Sequence, residues 1–577
     1  MEYPKIRQRA VTRETVEVFR GYNHNLRIGE GEFYDMENLS SDDYPVLSPR
    51  KKRGFLTGGS DIRGLIAKEK LCWVDGTDFV MDGTHYPMDL TDEEKSLVGM
   101  GAYVIILPDK QYINTVDPED RGAIGASVTT SGTVKLTTSR ADGTAYDVTF
   151  CQDTAPENPE NGQQWLDTSG EKHLLKQYSA ASGLWVTLMT TCVRLEAPGL
   201  GRPFREGDGV TISGLGTQGD SQVAALDGSF VIQSRGENHI VVAGLLDQIQ
   251  TVTVPVTVER TMPELDFVIE SGNRLWGCRY GPGKDGQMVN EIYASKLGDF
   301  RNWQSFQGIS TDSYRASLGS DGPFTGAICY GGYPLFFKEA CLHKVYGSYP
   351  AQYQIQTVPC RGVQKGSHNS LAIVNEVLYY KSRLGVCAYD GSLPNEISDA
   401  LGPTTYSGAV GGAHGSKYYI SMMDGNFDYH LFVYDAARGM WHREDKLHVR
   451  GFASCDNEMY YIDAADGCIH TLLGSGSQED GKVEWHAVTG LMGMDSPDKK
   501  HISQLQIRMQ MELDAQVKVS VQYDSCGVWE HICTVRRKDL HSFQLPVRPR
   551  RCDHLRLKLE GRGSAKVFSI CKTVGHL

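Results

Sequence analysis

The sequence lacks any run of about 18 consecutive apolar residues, which is the length that a membrane-spanning helix needs. Residues 1–20 also lack the apolar core of a signal peptide. These two absences exclude a helical membrane protein and argue against export by a cleaved leader. We therefore expect a protein that folds in a cytosol-like compartment.

The fourteen cysteines include no Cys-x-x-Cys pair and no cysteine and histidine spacing that is typical of a tetrahedral zinc site. They are scattered singly, and several lie inside apolar segments, as do Cys72 in "KLCWVDG" and Cys278 in "RLWGCRYG". We interpret them as reduced and mostly buried thiols. Disulfides in an exported protein remain the alternative.

Common catalytic motifs are missing as well, since the chain contains no GxSxG, no HExxH, no Walker loop and no EF-hand ladder. Asp42 and Asp43 are adjacent, so their side chains point to opposite sides of an extended chain and do not form a glycosidase acid pair. The segment Asp463 to Gly467 resembles part of a calcium loop, but a tight turn needs Asp and Gly there for backbone reasons. We predict that the protein is not an enzyme and that it uses no cofactor and no metal.

Positive charge is in deficit, with 58 Lys and Arg against 71 Asp and Glu and a net charge of -13. This sign is opposite to the electrostatic footprint of a DNA-binding protein. One local exception is the run Arg50, Lys51, Lys52 and Arg53 in "ENLSSDDYPVLSPRKKRG". That run leaves a nucleic-acid arm open as one interpretation and a docking loop as another.

What the sequence has in abundance is glycine and tyrosine, with 63 and 28 residues, which favour short strands joined by tight turns. A chain of 577 residues is also too long for a single hydrophobic core. Seven segments repeat an apolar strand followed by a polar turn. They begin at Gly64, Gly99, Phe267, Gly326, Ser370, Gly408 and Gly451.

The last four repeats are evenly spaced when Leu335, Leu378, Tyr418 and Tyr460 are set in register. The period of roughly 40 to 43 residues matches a four-stranded blade of a β-propeller. We therefore predict an all-β protein that contains a propeller of six to eight blades. A large β-sandwich with similar hairpins is the alternative.

Two regions depart from this period. The segment 118–264 is rich in Thr, Ser and Gly and is expected to be an inserted β-domain, in which Trp165 and Trp185 either form a small core or bind sugar rings. The segment from Leu505 through Leu513 alternates apolar and polar residues, which predicts a C-terminal β-sandwich of jelly-roll type. The predicted divisions are 1–60 as a docking or closing segment, 61–117 as the first blades, 118–264, 265–480 as the remaining blades, and 481–577.

Several segments resemble one family of viral proteins. The opening "FRGYNHNLRIGEGEFYDMENLSSDDYPVLSPRKKRG" resembles the N-terminus of the tail-nozzle proteins of short-tailed bacteriophages, also called tail tubular protein B or packaged-DNA stabilisation proteins. The segment "IYASKLGDFRNWQSF" is similar to a propeller segment of that family with a Gly-Asp-Phe-x-x-Trp turn. "PENGQQWLDTS" and "FREGDGVTISG" resemble modules that recur in phage tail and tail-fibre proteins.

The resemblance implies a structural virion protein, assembled in the host cytoplasm and located in the phage tail. Its expected partners are further copies of itself in a ring, sixfold in that family, the portal or adaptor and other tail proteins, and double-stranded DNA in passing. Tyr44 and Val46 would then pin a docking segment, and the basic run from Arg50 to Arg53 would face an acidic neighbour. A solvated loop is the alternative for that run. For the whole protein the alternatives are a tail-fibre adhesin that binds host carbohydrate and, less favoured, a propeller hydrolase.

Overall fold

The computed structural model describes residues 11–59, 61–218, 221–283, 286–493, 499–548 and 550–575. Strands dominate this part of the chain, in which one short α-helix occurs, Ser221–Ala224. The 3-10 helices described there are Leu215–Gln218, Pro350–Gln352, His368–Ser370 and Asp399–Leu401. No helix in these ranges is long and apolar enough to span a bilayer.

The chain forms two compact units. The first unit contains Met1–Lys95, Phe337–Leu342 and Thr357–Leu577. The second contains Ser96–Phe336 and His343–Gln356.

Three sheets of the first unit are antiparallel, with four strands in the up-and-down order of propeller blades. In each sheet, consecutive strands of the chain are neighbours, so short hairpins suffice to connect them. The strands are Ile62–Ala67, Leu71–Asp75, Asp78–Met81 and Thr84–Pro87; Ala372–Val374, Val377–Lys381, Val386–Tyr389 and Asn395–Glu396; and Ser407–His414, Lys417–Met423, Tyr429–Asp435 and Met440–Arg443.

A fourth sheet of this unit is completed by a strand from near the start of the chain. Its strands are Val449–Cys455, Glu458–Asp463, Ile469–Thr471, Gly54–Thr57 and Gln478–Glu479. Gly54 lies opposite Thr471, and Phe55 lies opposite His470. The closing strand therefore begins directly after the basic run.

The tight turns follow from the residues that they contain. Between Val374 and Val377, the two connecting residues Asn375 and Glu376 have φ angles of +48° and +66°. Two consecutive left-handed residues are the signature of a type I′ turn, whose twist matches that of the flanking strands.

The predicted repeat register is confirmed by the strands. Leu335, Leu378, Tyr418 and Tyr460 each lie in the second strand of a sheet. The first three side chains are fully buried and the fourth is half-buried. The period in the sequence is thus the period of the blades.

The C-terminal region is a β-sandwich whose two sheets share one hydrophobic core. The first sheet contains Val11–Val16, Ala565–Gly575, Lys500–Met511 and Asp539–Leu545, with Arg550–Cys552 paired to Lys500–Met511. The second contains Phe33–Glu37, Glu484–Thr489, Leu555–Arg562, Gln516–Tyr523 and Glu530–Val535. Both sheets therefore include a strand from the first forty residues.

The apolar alternation in this region ends two residues earlier than the sequence predicts, at Met511 instead of Leu513. Leu505, Ile507, Met509 and Met511 are buried, as expected from the alternation. Leu513 is 71% exposed, because the strand ends at Met511 and the chain turns there toward the next strand.

The second unit contains two more sheets in blade order. Their strands are Ser96–Met100, Tyr103–Leu107, Gln111–Asn114 and Arg121–Ala123, and Phe267–Glu270, Leu275–Pro282, Met288–Ala294 and Tyr314–Ser317. Residues 326–359 are divided between the two units. Their strands are Gly326–Tyr330, Tyr333–Lys338, Cys341–Tyr346 and Gln354–Pro359.

Between these blades of the second unit, the chain forms three further sheets. Two of them share a core of Val, Leu and Ile side chains. The strands are Ala126–Thr129, Thr257–Arg260, Gly209–Ser213 and Gly228–Val231; Ser234–Gly236, His239–Ala243, Cys192–Glu196, Val134–Ser139 and Gln250–Val252; and Val148–Gln152, Gln164–Asp167, Leu174–Ser179 and Leu184–Thr187. The fold class is therefore all-β, with propeller blades, an inserted β-domain and a C-terminal sandwich, as predicted.

The fourteen cysteines are free, and half of them are buried. Cys72 and Cys278 are among the buried ones, in the strands that their apolar context indicates. Burial raises the pKa of the Cys72 thiol to about 11, so the thiolate is disfavoured at neutral pH.

Candidate functional site

The opening stretch from Glu37 to Gly54 forms a small hairpin on the first unit. Leu39–Ser40 pairs with Ser48–Pro49, and the residues between them form its loop. The deepest anchor of that loop is Leu47, which is 2% exposed and exchanges two backbone hydrogen bonds with Val567 of the sandwich. The hairpin is therefore fixed to the sandwich by main-chain contacts.

The predicted pinning residues lie in the loop beside this anchor. Tyr44 and Val46 are half-buried, and their amides donate to the carbonyls of Ser41 and Asp43 within the loop. The guanidinium of Arg438 lies 4.6 Å from the centre of the Tyr44 ring. Leu47 was not singled out because a lone leucine between two prolines gives no periodic signal.

The two acids at the tip of the hairpin bind different parts of the unit. Asp42 accepts a hydrogen bond from Lys417, at 2.5 Å, and Asp43 accepts one from Lys566, at 2.6 Å. Burial alone would raise the pKa of Asp42, but the ammonium of Lys417 holds it below the usual value. Asp42 and Asp43 lie in a turn rather than in an extended strand, and they bind lysines from two different strands, Lys417–Met423 and Ala565–Gly575.

Arg53, the last cation of the basic run, is buried in an ion-pair network of this same chain. Its Nη1 donates to Asp445 Oδ2 at 2.6 Å and its Nη2 donates to Glu444 Oε2 at 2.8 Å. Burial disfavours the charged guanidinium, yet these two carboxylates hold the pKa of Arg53 above its usual range. The network ties the closing strand to the loop after Met440–Arg443.

Arg50, the first cation of the run, joins the same network from its edge. Its Nη1 donates to Asp480 Oδ2 at 2.8 Å, and its Nε donates to Asn38 Oδ1 at 2.7 Å. Burial raises the pKa of Asp480, and the hydrogen bond from Arg50 outweighs that effect and lowers it. Both arginines of the run therefore bind acids of this chain.

Lys51 and Lys52, the two lysines between the arginines, are exposed. The two arginines at the ends of the run are thus buried or half-buried in the unit, and the two lysines between them lie at its surface.

The predicted carbohydrate or core tryptophans lie together in the inserted domain. The rings of Trp165 and Trp185 meet edge to face, with centroids 5.4 Å apart. Trp165 is 5% exposed, its Nε1 donates to the carbonyl of Gln152, and the ammonium of Lys176 lies 4.8 Å from its centroid. Edge-to-face packing of this kind is typical of a small aromatic core, and Trp185 is the more exposed of the two rings.

The segment from Asp463 to Gly467 forms a turn, and within the described ranges it contributes to one group that has a metal-like set of ligands. One ligand atom each of Asp463, Asp466 and His470 lies within 4.8 Å of the others. The Oδ1 atoms of both aspartates already accept amide hydrogens, from Ala465 and Cys468. Both aspartates therefore contribute hydrogen bonds to the turn, and His470 pairs with Asp466 at 2.9 Å.

No protein-family model matches the sequence, and no curated protein is significantly similar to it. Solved structures do give matches. An exo-β-1,3-galactanase from Phanerochaete chrysosporium is 9% identical, with a TM-score of 0.20 over 53% of this chain and 94% of the galactanase. An acylaminoacyl peptidase from Pyrococcus horikoshii is 10% identical, with a TM-score of 0.23 over 50% of this chain and 47% of the peptidase. A sialidase from Trypanosoma rangeli is 8% identical, with a TM-score of 0.22 over 97% of this chain and 95% of the sialidase.

The prediction that the protein is not an enzyme is wrong in the light of these matches, because the matched structures are glycoside hydrolases and a peptidase. Missing sequence motifs do not exclude an enzyme, because catalytic groups recur on unrelated folds without a shared motif. At TM-scores between 0.20 and 0.23, the similarity assigns no reaction and no substrate to this chain.

Proposed function

We propose that the protein is a structural component of a bacteriophage tail, of the nozzle type, whose copies form a ring that continues the DNA channel. The motivation is the resemblance of the opening stretch and of the segment 292–306 to that family. The observation that supports the proposal is that the two arginines of the basic run are paired with carboxylates of the same chain.

Arg50 and Arg53 are occupied by carboxylates of the chain itself, with contacts of 2.6 to 2.8 Å to Asp480, Asp445 and Glu444. A nucleic-acid arm needs its cations free for phosphate oxygens. With these two charges neutralised, the surface of a chain with a net charge of -13 repels DNA. A conduit wall needs this property, because a duplex that adheres to the wall cannot move along it.

The interlocked start of the chain supports the same proposal. The strands Val11–Val16 and Phe33–Glu37 complete the sandwich, and Gly54–Thr57 completes the last sheet of the first unit. Pulling any of these strands out would break a ladder of backbone hydrogen bonds, and pulling out Gly54–Thr57 would also disturb the buried ion pairs of the adjacent Arg53. A component that guides a packaged genome under pressure benefits from such closure.

The oligomeric state of the full-length protein tests the proposal. Native mass spectrometry and negative-stain images of the assembled protein should give a closed ring, with six copies as the expected number, around an open axial channel. A monomer, or a trimer without a channel, would contradict the proposal. A trimer that binds an immobilised glycan and loses binding with Trp185→Ala would support the adhesin alternative instead.

Binding to duplex DNA provides a second test. We expect weak binding by fluorescence anisotropy even at low salt, where any cationic surface is least screened. The double variant Asp445→Asn with Asp480→Asn should bind more tightly, because it removes the two carboxylates closest to Arg50, which lie at 2.8 and 3.6 Å. Tight binding by the unaltered protein that Arg50→Ala abolishes would restore the nucleic-acid arm.

A further inference from the structure

One cleft of the first unit lies between the opening stretch and the sandwich and is unused by the proposed function. It has a volume of about 220 Å³ and is lined by the hairpin from Asp43 to Lys52, by Lys482 and Val483, and by two hairpin turns of the sandwich at 512–515 and 563–566. This volume is roughly seven times the share of one water molecule in the liquid. The cleft therefore has room for a polyatomic ion together with its water.

Its lining is basic, in contrast to the chain as a whole. Four cations line it, namely Arg50, Lys52, Lys482 and Lys566, against the two carboxylates of Asp43 and Glu512. Because Asp480 balances the charge of Arg50, the lining has three lysines against two carboxylates, a formal charge of three minus two, or +1, in a chain with a net charge of -13. A local reversal of sign within a concave site concentrates anions.

The contacts inside the cleft leave donors available. Lys566 pairs with Asp43, and Lys482 donates to the carbonyl of Asp514 at 3.3 Å and lies 3.9 Å from the carboxylate of that residue. An ammonium has three N–H donors and no acceptor. Each of these two lysines therefore retains donor capacity beyond the contacts named here.

A buried hydroxyl marks the floor of the cleft. Ser48 is 2% exposed, lines the cleft, and its Oγ has no hydrogen-bond partner among the described residues. A buried polar atom without a partner is costly, and such atoms in folded proteins usually bind a ligand or water. The Ser48 hydroxyl is thus a hydrogen-bond donor without a partner in the wall of the cleft.

We propose that this cleft binds a small phosphate-bearing anion. Donors from the opening stretch, from the linker at Lys482 and from the sandwich turn at Lys566 approach from different elements, which suits a tetrahedral group with acceptors on all sides better than a planar carboxylate. The phosphate belongs to inorganic phosphate or to a mononucleotide. A duplex is a convex rod of large radius and does not enter a cleft of this size.

Isothermal titration of the full-length protein at constant ionic strength tests the proposal. Inorganic phosphate and a nucleoside 5′-monophosphate are titrated in separate arms, with acetate and a short duplex as competitors. We expect saturable binding in at least one phosphate arm and none with acetate. Equal binding of acetate, or binding by the duplex alone, would overturn the proposal, as would the absence of saturation in both phosphate arms.

Matched variants locate the site. Lys482→Gln and Lys566→Gln should each weaken phosphate binding about tenfold, the loss expected for one hydrogen bond to a charged group. Ser48→Ala should weaken it by a smaller factor, and Lys51→Gln should leave it unchanged because Lys51 does not line the cleft. Melting curves without phosphate verify that each variant is folded. Equal losses in Lys51→Gln and Lys482→Gln would show a diffuse charge effect and refute the site, and none of these results depends on ring assembly.

Discussion

Replacing Arg53 by alanine is the sharpest test of how the opening stretch is held. The guanidinium is buried, and so is the carboxylate of Glu444, with 8% of the side chain exposed in each case. Asp445 is 21% exposed. Arg53→Ala therefore leaves one buried and one half-buried carboxylate without their closest cation, with Arg50 still 3.9 Å from Glu444 and 3.6 Å from Asp445.

The size of the effect follows from this burial. Removing one partner of a buried ion pair costs about 3–5 kcal/mol, since the remaining charge stays desolvated. An effect of this size corresponds to roughly a hundredfold to several-thousandfold change in an opening equilibrium. The loss should be concentrated where Gly54–Thr57 pairs with Ile469–Thr471, because Arg53 directly precedes that strand.

Hydrogen exchange followed by mass spectrometry measures this local opening, which a single unfolding midpoint of a multidomain chain does not resolve. Peptides that cover residues 54–57 should exchange faster by the stated factor in Arg53→Ala. The matched control is Arg562→Ala, whose pair with Glu484 is exposed on both sides and is worth at most about 1 kcal/mol. A change below about tenfold in Arg53→Ala, or an equal change in the control, would refute the reasoning.

Three further outcomes are expected. Burial lowers the pKa of His442 to about 4, so the folded protein keeps this ring neutral while the unfolded chain takes up its proton near pH 6.5. Stability should therefore fall by about 3 kcal/mol as the pH decreases from 6.5 to 4, and His442→Gln should flatten that part of a pH series of urea denaturation. A maleimide under native conditions should label the exposed Cys151 and Cys526 before the buried Cys72, as intact mass will show, and early labelling of Cys72 would contradict its burial. The predicted bounds 118–264 would remove the blade strand Arg121–Ala123, so the deletion is confined to residues 126–260; it should leave a soluble protein with the circular dichroism of a β-protein, because that segment has a hydrophobic core of its own, and aggregation would contradict this division.

The parts of the fold that could be predicted are those that short-range sequence patterns indicate. The blade period was visible because each blade repeats one strand and turn pattern, as at Leu378 and Tyr418, within a window of the chain. The sandwich strands were visible because alternate residues such as Ile507 and Met509 face one core. Both signals depend on neighbours within one strand or one hairpin.

The partners of the opening stretch could not be predicted, because they are distant in sequence. Arg53 binds Asp445, 392 residues away, and the strand Val11–Val16 pairs with the last described strand of the sandwich. A run of cations indicates charge but not which carboxylates neutralise it. The deep burial of His442 was equally invisible, since it depends on how the opening hairpin packs on the unit.

The pairing of Gly54–Thr57 with Ile469–Thr471 also determines the order in which parts of the nascent chain can fold. This strand is synthesised more than 400 residues before its partner Ile469–Thr471, an interval of roughly 20 to 80 s at ribosomal rates of about 5–20 residues per second. Throughout that interval the strand has no native neighbour, and the same holds for Val11–Val16 and Phe33–Glu37. The first blades can collapse early, whereas the closing sheet waits for residues 469–479 and the sandwich waits for residues 565–575. Until those residues are synthesised, the open strand edges are exposed to chaperones and to pairing with other chains.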